Sequence, residues 1–197
     1  PLSPKYKASA VVEYSIPFKL VNCTEVELAG TGHPVIRFED CLKYGRFVMV
    51  GGVVHAKVNV ACNNAVPNWS EVAEVGVMIH LDNCSKTTIQ QLKLDGNIDN
   101  SIIGGRYNYH AYQIGYDGII VASCDNIKLI NVQASHFGRD GIMLCSSDTP
   151  PMNISITGCS FNFNCRTGMS WGGGNGLSIS DSQFNYNGIG RIVSPTA

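Results

Sequence analysis

Residues 116–138 read YDGIIVASCDNIKLINVQASHFG, residues 139–165 read RDGIMLCSSDTPPMNISITGCSFNFNC, and residues 166–188 read RTGMSWGGGNGLSISDSQFNYNG. Each segment opens on a turn residue and a glycine, continues into a short alternating strand, and crosses a polar turn into a second strand. The opening glycines Gly118, Gly141 and Gly168 are 23 and 27 residues apart. Strand-and-turn repeats of this length cannot bury their apolar faces singly and must stack. The sequence therefore predicts a parallel β-solenoid.

The same pattern extends toward the N-terminus. Apolar residues recur at one inward position of each coil, where a coil is one turn of the solenoid: Leu20, Phe38, Leu81, Val121, Leu144 and Trp171. Such alternation of inward and outward residues is typical of half-buried strands. We expect an all-β, right-handed, single-stranded parallel β-helix of about six to seven coils over residues 17–197, after a lead-in segment or cap at 1–16. Residues 51–75 and 98–115 break the pattern and are predicted to be inserted loops.

Composition agrees with this fold and limits the function. Of 197 residues, 44% are hydrophobic and 15% charged, with 21 glycines and a net charge of −1. The charged fraction is below the usual quarter, and no basic run argues for nucleic acid. The chain has no apolar run of about 18 residues, so no membrane span is predicted.

The C-terminal residues GRIVSPTA follow directly on a repeat, without an amphipathic helix to close the stack. Terminal repeats of solenoids need caps. We therefore expect the C-terminal coil to be covered by a further stretch of chain or by another copy in a homo-oligomer.

Eight cysteines invite a disulfide interpretation, but their positions favour a structural one. Four of them fall three residues after an inward apolar residue: Cys23, Cys41, Cys84 and Cys124. We expect them to stack as free thiols at one coil corner, where Cys behaves as a small buried hydrophobe. Metal binding would need paired Cys or Cys/His spacing, which the sequence lacks.

The runs NIKLINVQASHFGRDGIML (126–144) and NISITGCSFNFN (153–164) resemble the right-handed parallel β-helix proteins of the pectate-lyase-like superfamily. The resemblance covers roughly residues 17–190. It implies a long groove on one strand face where a polysaccharide lies, flanked by loops inserted between coils. It does not fix an activity, because the fold carries lyases, hydrolases, epimerases, tailspikes and adhesins.

Two subfamilies can be compared with the sequence. The Asp-Asp, Gly-His-Gly and Arg-Ile-Lys motifs of polygalacturonase-type hydrolases are absent. The run Ala134–Gly141 is similar to the second motif of uronan C5-epimerases, and Asp117 matches the aspartate of their first motif. The catalytic Tyr and His of that first motif fall on Ile114 and Ile119.

Two carboxylates are the first catalytic candidates. Asp117 and Asp140 each precede a coil-opening glycine, so equal register makes them stacked neighbours about 5 Å apart. Carboxylates this close repel, which raises the pKa of one, as a general acid requires. The alternative is that Asp-Gly is turn chemistry, because Thr167 fills the same position in the next coil.

His136 and two arginines complete the catalytic hypothesis. Elimination or epimerisation needs a base for the proton α to a uronate carboxylate and a cation for the charge that develops. His136 is the candidate base and Arg139 or Arg166 the candidate cation. The alternatives are a hydrogen-bonding coil corner for His136 and a solvated or carboxylate-paired edge for the arginines.

Substrate contacts are predicted from an aromatic-rich loop and from the third piece of the repeat. The residues concerned are Arg106, Tyr107, Tyr109, His110, Tyr112, Asn162, Asn164 and Arg166. Calcium is left open, since Asp95, Asp117 and Asp140 are candidate ligands but no calcium-loop motif occurs. No metal site is predicted.

Two functions remain open at this stage. One is a polysaccharide-processing enzyme, a lyase, epimerase or hydrolase, acting on an extended acidic glycan along the solenoid face. The other is a non-catalytic glycan-binding, tailspike-type or adhesin-type module. Both predict a polysaccharide partner and a secreted, cell-surface or virion location.

Overall fold

The computed structural model describes residues 16–50, 53–56, 69–73, 76–104 and 116–188. These residues are almost entirely β-structure, with one short 3₁₀ helix at Ile98–Asn100. The strands are β1 (Phe18–Val21), β2 (Glu27–Ala29), β3 (Val35–Arg37), β4 (Lys43–Val50), β5 (Val53–Ala56), β6 (Trp69–Ala73), β7 (Ile79–Asp82), β8 (Ser85–Gln90), β9 (Lys93–Asp95), β10 (Ile102–Gly104), β11 (Ile119–Ala122), β12 (Asp125–Ile130), β13 (Gln133–Ser135), β14 (Asp140–Cys145), β15 (Met152–Thr157), β16 (Thr167–Trp171) and β17 (Ser178–Ser180).

Three parallel sheets build a solenoid-like fold. The first sheet has the order β1-β7-β11-β14-β16, the second β17-β15-β12-β8-β2, and the third β13-β9-β3. Isolated bridges from Gln133 to Ser160 and from Ser160 to Gln183 extend the third sheet. Each turn of the chain thus contributes one strand or bridge to each sheet, which confirms the predicted parallel stacking.

The register of the predicted ladder is confirmed at five of its six positions. In the first sheet, Leu20 pairs with Leu81, Leu81 with Val121, Val121 with Leu144, and Leu144 with Trp171. We number the coils 1 (18–37), 2 (79–95), 3 (119–135), 4 (140–160) and 5 (167–183). The described residues therefore contain five coils.

Phe38 was assigned to the wrong position. The strand before it, β3, is the third strand of coil 1 and pairs with β9, Ile36 lying opposite Leu94. A period of two is the same in all three sheets of a solenoid, so the alternation cannot show to which sheet a strand belongs. This is why the sequence suggested a separate coil here.

Three strands from between coils 1 and 2 and one strand from between coils 2 and 3 form a small additional sheet. Strand β4 pairs antiparallel with β5 and β6, and parallel with β10. Both intervals predicted as inserted loops thus contribute strands, β5 and β6 from 51–75 and β10 from 98–115. No helix of the described residues has the length and hydropathy needed to cross a bilayer.

Stacked apolar columns fill the interior. Ile79, Ile119 and Ile142 form one column at the first sheet, and the core cluster includes Ile89, Leu129 and Ile156 of the second sheet. In coil 5, Trp171 and Ile179 are 49% and 41% exposed. Covering of the C-terminal coil stays a prediction.

The repeated glycines are explained by the approach of the next coil. A Cβ on Gly141 would lie 2.8 Å from the carbonyl oxygen of Gly168 and 2.8 Å from Nδ2 of Asn164. A Cβ on Gly118 would meet the carbonyl oxygen of Gly141 in the same way. Any larger residue would push the coils apart.

Three cysteines stack at the corner after the first sheet, as predicted. Cys84 and Cys124 are buried free thiols, and Cys23 is half-buried. The backbone N–H of Cys84 donates to Sγ of Cys124 at 3.3 Å, and Sγ of Cys84 donates to the carbonyl oxygen of Leu20 at 3.4 Å. Cys41 is exposed and follows β3, so it does not belong to this column.

Candidate functional site

The two candidate carboxylates are stacked in register and each is held by an arginine of the following coil. Nε of Arg139 donates to Oδ1 of Asp117 at 2.7 Å, and Nη2 donates to Oδ2. The backbone N–H of Asp140 adds a third bond to Oδ1 at 3.0 Å. Asp117 and Arg139 are both buried. Burial raises the pKa of Asp117, against the pull of the Arg139 guanidinium.

One coil later the same arrangement is repeated. Nε of Arg166 donates to Oδ1 of Asp140 at 2.7 Å, and Nη2 donates to Oδ2. The hydroxyl of Thr167 donates to Oδ1 at 2.8 Å. Burial alone would raise the pKa of Asp140, but the bonds from Arg166 and Thr167 outweigh it and lower the pKa below its ordinary value.

Both carboxylates are therefore hydrogen-bonded to an arginine and to further donors of the following coil. The repulsion expected between Asp117 and Asp140 is offset because a guanidinium neutralises each carboxylate. Bidentate arginine pairs of this kind are strong and geometrically specific. The arrangement locks the register of neighbouring coils, and neither carboxylate is exposed.

His136 lies at a different corner, at the end of the third sheet. Its Nδ1 is 3.2 Å from Oδ1 of Asp95, and its side chain is partly exposed. Asp95 also accepts the backbone N–H of Asn97 at 2.9 Å and faces Nε of Arg37 at 3.5 Å. Arg37 is further held by Asp40 and by Oδ1 of Asn97, at 3.1 and 2.6 Å.

An exposed column of rings continues from His136. The imidazole stacks on Phe163 with a centroid separation of 5.9 Å, and Phe163 stacks on Tyr186 at 5.1 Å with ring planes 7° apart. Phe163 and Tyr186 are 49% and 62% exposed. Nearly parallel rings at this separation are offset, and ring surface of Phe163 and Tyr186 remains open to solvent. We call these three residues the ring column.

The ring column departs from the pattern that the sequence suggested. The alternation of Phe161, Phe163, Phe184 and Tyr186 with asparagine predicts that these four rings pack as one stacked aromatic core. Phe161 and Phe184 do stack inside, at 5.5 Å, and Phe161 is fully buried. Phe163 and Tyr186 have φ angles of 59° and 56°. This left-handed conformation turns the chain at the corner and carries both rings outward.

The asparagines of the third piece have two different roles. Asn164 is buried, accepts the backbone N–H of Phe137 at 3.1 Å, and donates to the carbonyl oxygen of Ala134 at 3.2 Å. Such a side chain stabilises the coil and is not on the surface for a ligand. Asn162 lies on the outer face and donates to the hydroxyl of Ser160 at 2.7 Å.

Beside the ring column, the outer face of the third sheet carries amides and hydroxyls. By strand and bridge register, Gln133, Ser160 and Gln183 form one row along the solenoid axis. Ser135, Asn162 and Asn185 follow two residues later in each coil and form a second row. We call these two rows together with the ring column the third-sheet face.

Several predicted residues are not tested by this geometry. Arg106, Tyr107, Tyr109, His110 and Tyr112 lie outside the described residues. The described part of the chain has no cluster of three His, Cys, Asp or Glu side chains suited to a metal ion. Asp95, Asp117 and Asp140, the candidate calcium ligands, therefore do not form such a cluster.

Sequence reasoning missed the partner of His136 and the exposure of two rings. Asp95 lies 41 residues from His136, and only the correct assignment of Asp95 to the third sheet brings them to one corner. The alternation of asparagine and phenylalanine over residues 161–164 gave no sign that Phe161 points inward while Phe163, two residues later, points outward. One signal for the outward rings was available in the sequence: each ring directly precedes an asparagine, Asn164 or Asn187. Both asparagines accept a backbone N–H of the preceding coil, so they face inward and the ring before each of them faces outward.

The fold and this corner define an all-β, solenoid-like protein with an exposed aromatic and amide face. No protein-family model matches the chain, and neither do curated protein sequences or solved structures.

Proposed function

We propose that the chain is a right-handed parallel β-helix of the pectate-lyase-like kind and that it binds an extended polysaccharide on the third-sheet face. The single observation that carries the proposal is the exposed ring column next to rows of amides and hydroxyls. Aromatic rings pack against the apolar faces of sugars, while amides and hydroxyls donate and accept hydrogen bonds. A secreted, cell-surface or virion location fits such a ligand.

The backbone at the ring column also supports a binding role. Bulky residues at positive φ are uncommon and carry a conformational cost of order 1–3 kcal/mol. At other corners the same conformation is taken by asparagine, as at Asn22, Asn83 and Asn131. Two exposed aromatic residues in place of asparagine are therefore not required by the turn.

Asp117 and Asp140 take a structural role in this proposal. A general acid or base must reach the substrate proton within hydrogen-bond distance or through one water. Both carboxylates are fully buried and bonded to arginines and backbone. The proposal therefore takes the non-catalytic alternative for this pair.

The test is a comparison of ring-column variants in native affinity electrophoresis through a panel of polysaccharides. Phe163→Asn and Tyr186→Asn keep a residue suited to the left-handed backbone, so the fold should persist. Each should weaken binding by about tenfold, which corresponds to about 1.4 kcal/mol. Met152→Asn removes a similarly exposed apolar side chain at another corner and should bind like the parent. Equal retardation of all four proteins, or no retardation by any polysaccharide, would disprove the proposal.

An acid–base enzyme is the second candidate function, and the contact between His136 and Asp95 favours it. A carboxylate on Nδ1 fixes the neutral tautomer and leaves Nε2 to accept a substrate proton. Incubation with uronate-containing glycans, followed by product absorbance and reducing ends, tests this idea. Activity that is lost in His136→Gln and kept in His33→Gln, at an exposed histidine with similar φ, would support it. If the parent protein had no activity on any of these glycans, the acid–base hypothesis would be excluded.

A further inference from the structure

We infer that the polysaccharide is uncharged and lies parallel to the solenoid axis across coils 3 to 5. The inference rests on the proposed function and names the class of its ligand. It differs from the acidic glycan that the sequence suggested.

The first argument is the charge of the third-sheet face. Among its described residues in coils 3 to 5, none is Asp, Glu, Lys or Arg; they are Gln133, Ser135, His136, Ser160, Asn162, Phe163, Gln183, Asn185 and Tyr186. A carboxylate loses water when it is covered, and without a cation beside it this loss is unfavourable. A uronan would place such a group on every sugar. Neutral sugars present hydroxyls, which amides and serines can satisfy in both directions.

The cations of the third sheet in coils 1 and 2 do not change this balance. In coil 1, Arg37 already bonds Asp40 and Asn97 and faces Asp95. Its guanidinium is thus committed to protein groups of the same corner. Lys93 of coil 2 is paired in register with Gln133, so it extends the row of Gln133, Ser160 and Gln183 by one position. It is placed to meet at most one sugar at one end of the face.

The second argument is the direction in which the chemistry repeats. Along the axis, each coil presents the same set again, an amide or hydroxyl in each row and one ring in the column. Successive coils are about 4.8 Å apart, and the ring centroids are 5.9 and 5.1 Å apart. These spacings are close to the length of one pyranose residue in an extended chain. Across the axis the same groups occur only once, so a repeating polymer matches the axial direction.

Homogalacturonan offers a matched pair of probes, because full methyl esterification removes its charge and keeps its backbone. We would measure binding of both forms by isothermal titration calorimetry, at about 0.01 M and about 1 M ionic strength, where the Debye length is about 30 and 3 Å. Mannan and polymannuronate form a second pair. The uncharged member of each pair should bind at least about tenfold more tightly, with little dependence on salt, and Lys93→Gln should leave this unchanged.

The outcomes separate this inference from the proposed function. Tighter binding of the acidic polymer, weakened by salt and by Lys93→Gln, would overturn the inference. If Tyr186→Asn still weakened that binding about tenfold, the proposed face would stay intact. Binding of neither member, or binding that Phe163→Asn and Tyr186→Asn both leave unchanged, would overturn the proposed function as well.

Discussion

The guanidinium of Arg166 binds the carboxylate of Asp140 in the preceding coil, with Nε 2.7 Å from Oδ1. The residue after Arg166 contributes a hydroxyl to the same oxygen, so one carboxylate collects donors from two consecutive residues of the next coil. Arg139 and Asp117 repeat the contact one coil earlier. Because such a pair forms only when neighbouring coils are in the correct register, we interpret it as a clamp between coils.

The first prediction concerns stability. Asp140→Asn removes the charge that Arg166 and Thr167 are bonded to, and it should destabilise the protein by about 2–3 kcal/mol. This is below the 3–5 kcal/mol typical of a fully buried pair, because the Arg166 side chain is 30% exposed and can be hydrated. In a domain of this size the melting temperature should fall by about 5–10 °C, as measured by circular dichroism.

Asp148→Asn is the control, because it removes one negative charge at an exposed position in the same coil. It should change the melting temperature by less than about 2 °C. If Asp140→Asn melted like the parent protein, the clamp would not stabilise the stack, and the carboxylate would again be a candidate for chemistry.

The second prediction is the pH dependence of this clamp. The pKa of Asp140 is lower in the folded protein than its ordinary value, so its contribution is present above about pH 4, the unfolded value, and is lost as pH falls through the folded pKa. The difference in melting temperature between the parent and Asp140→Asn should be constant from about pH 7 to about pH 5 and should shrink below about pH 4. An undiminished difference at about pH 3 would contradict this account.

The sequence predicted the stacking because three consecutive segments, residues 116–138, 139–165 and 166–188, carry the same repeat. Gly118, Gly141 and Gly168 fixed the register of three coils, and the same register gave the stacked position of Asp117 and Asp140. The error at Phe38 came from a property of solenoids themselves. All three sheets show the same alternation, so a strand of the third sheet looks like the start of a new coil.

The candidate site was harder to predict for a related reason. His136 was identified as a functional candidate, but Asp95 reaches it only because the two belong to neighbouring coils of the third sheet. The exposed rings depend on positive φ angles at Phe163 and Tyr186. Backbone conformation of this kind is normally signalled by glycine or asparagine, and here the residue type gives no such sign.

The third prediction concerns the thiols. Alkylation needs the thiolate, and burial raises the pKa of Cys124 to about 12 and that of Cys159 above its ordinary value. With iodoacetamide at about pH 8, peptide mass mapping should find native labelling at the exposed Cys41 and labelling of Cys84, Cys124 and Cys159 only after denaturation. Disulfide-linked peptides among these four cysteines, or native labelling of Cys124 at the rate of Cys41, would contradict the free, buried arrangement.

The last prediction concerns the loop between β14 and β15. The hydroxyl oxygen of Ser123 accepts the backbone N–H groups of Ser147, Asp148 and Thr149 at 3.0, 3.0 and 3.2 Å. Ser123 is nearly buried and has a φ of 52°, so its side chain is both the acceptor for this loop and part of a tight corner.

Ser123→Ala should leave the three donors without this acceptor. Because the loop residues are exposed, water replaces part of the loss, and we expect a destabilisation of about 1–2 kcal/mol. Hydrogen exchange should localise the effect, with the amides of residues 147–149 exchanging at least about tenfold faster while those of β11 and β14 stay protected. Ser155→Ala, on the outer face of β15, is the matched control and should leave all these amides unchanged. Slow exchange at 147–149 in Ser123→Ala would show that the loop is held by other contacts.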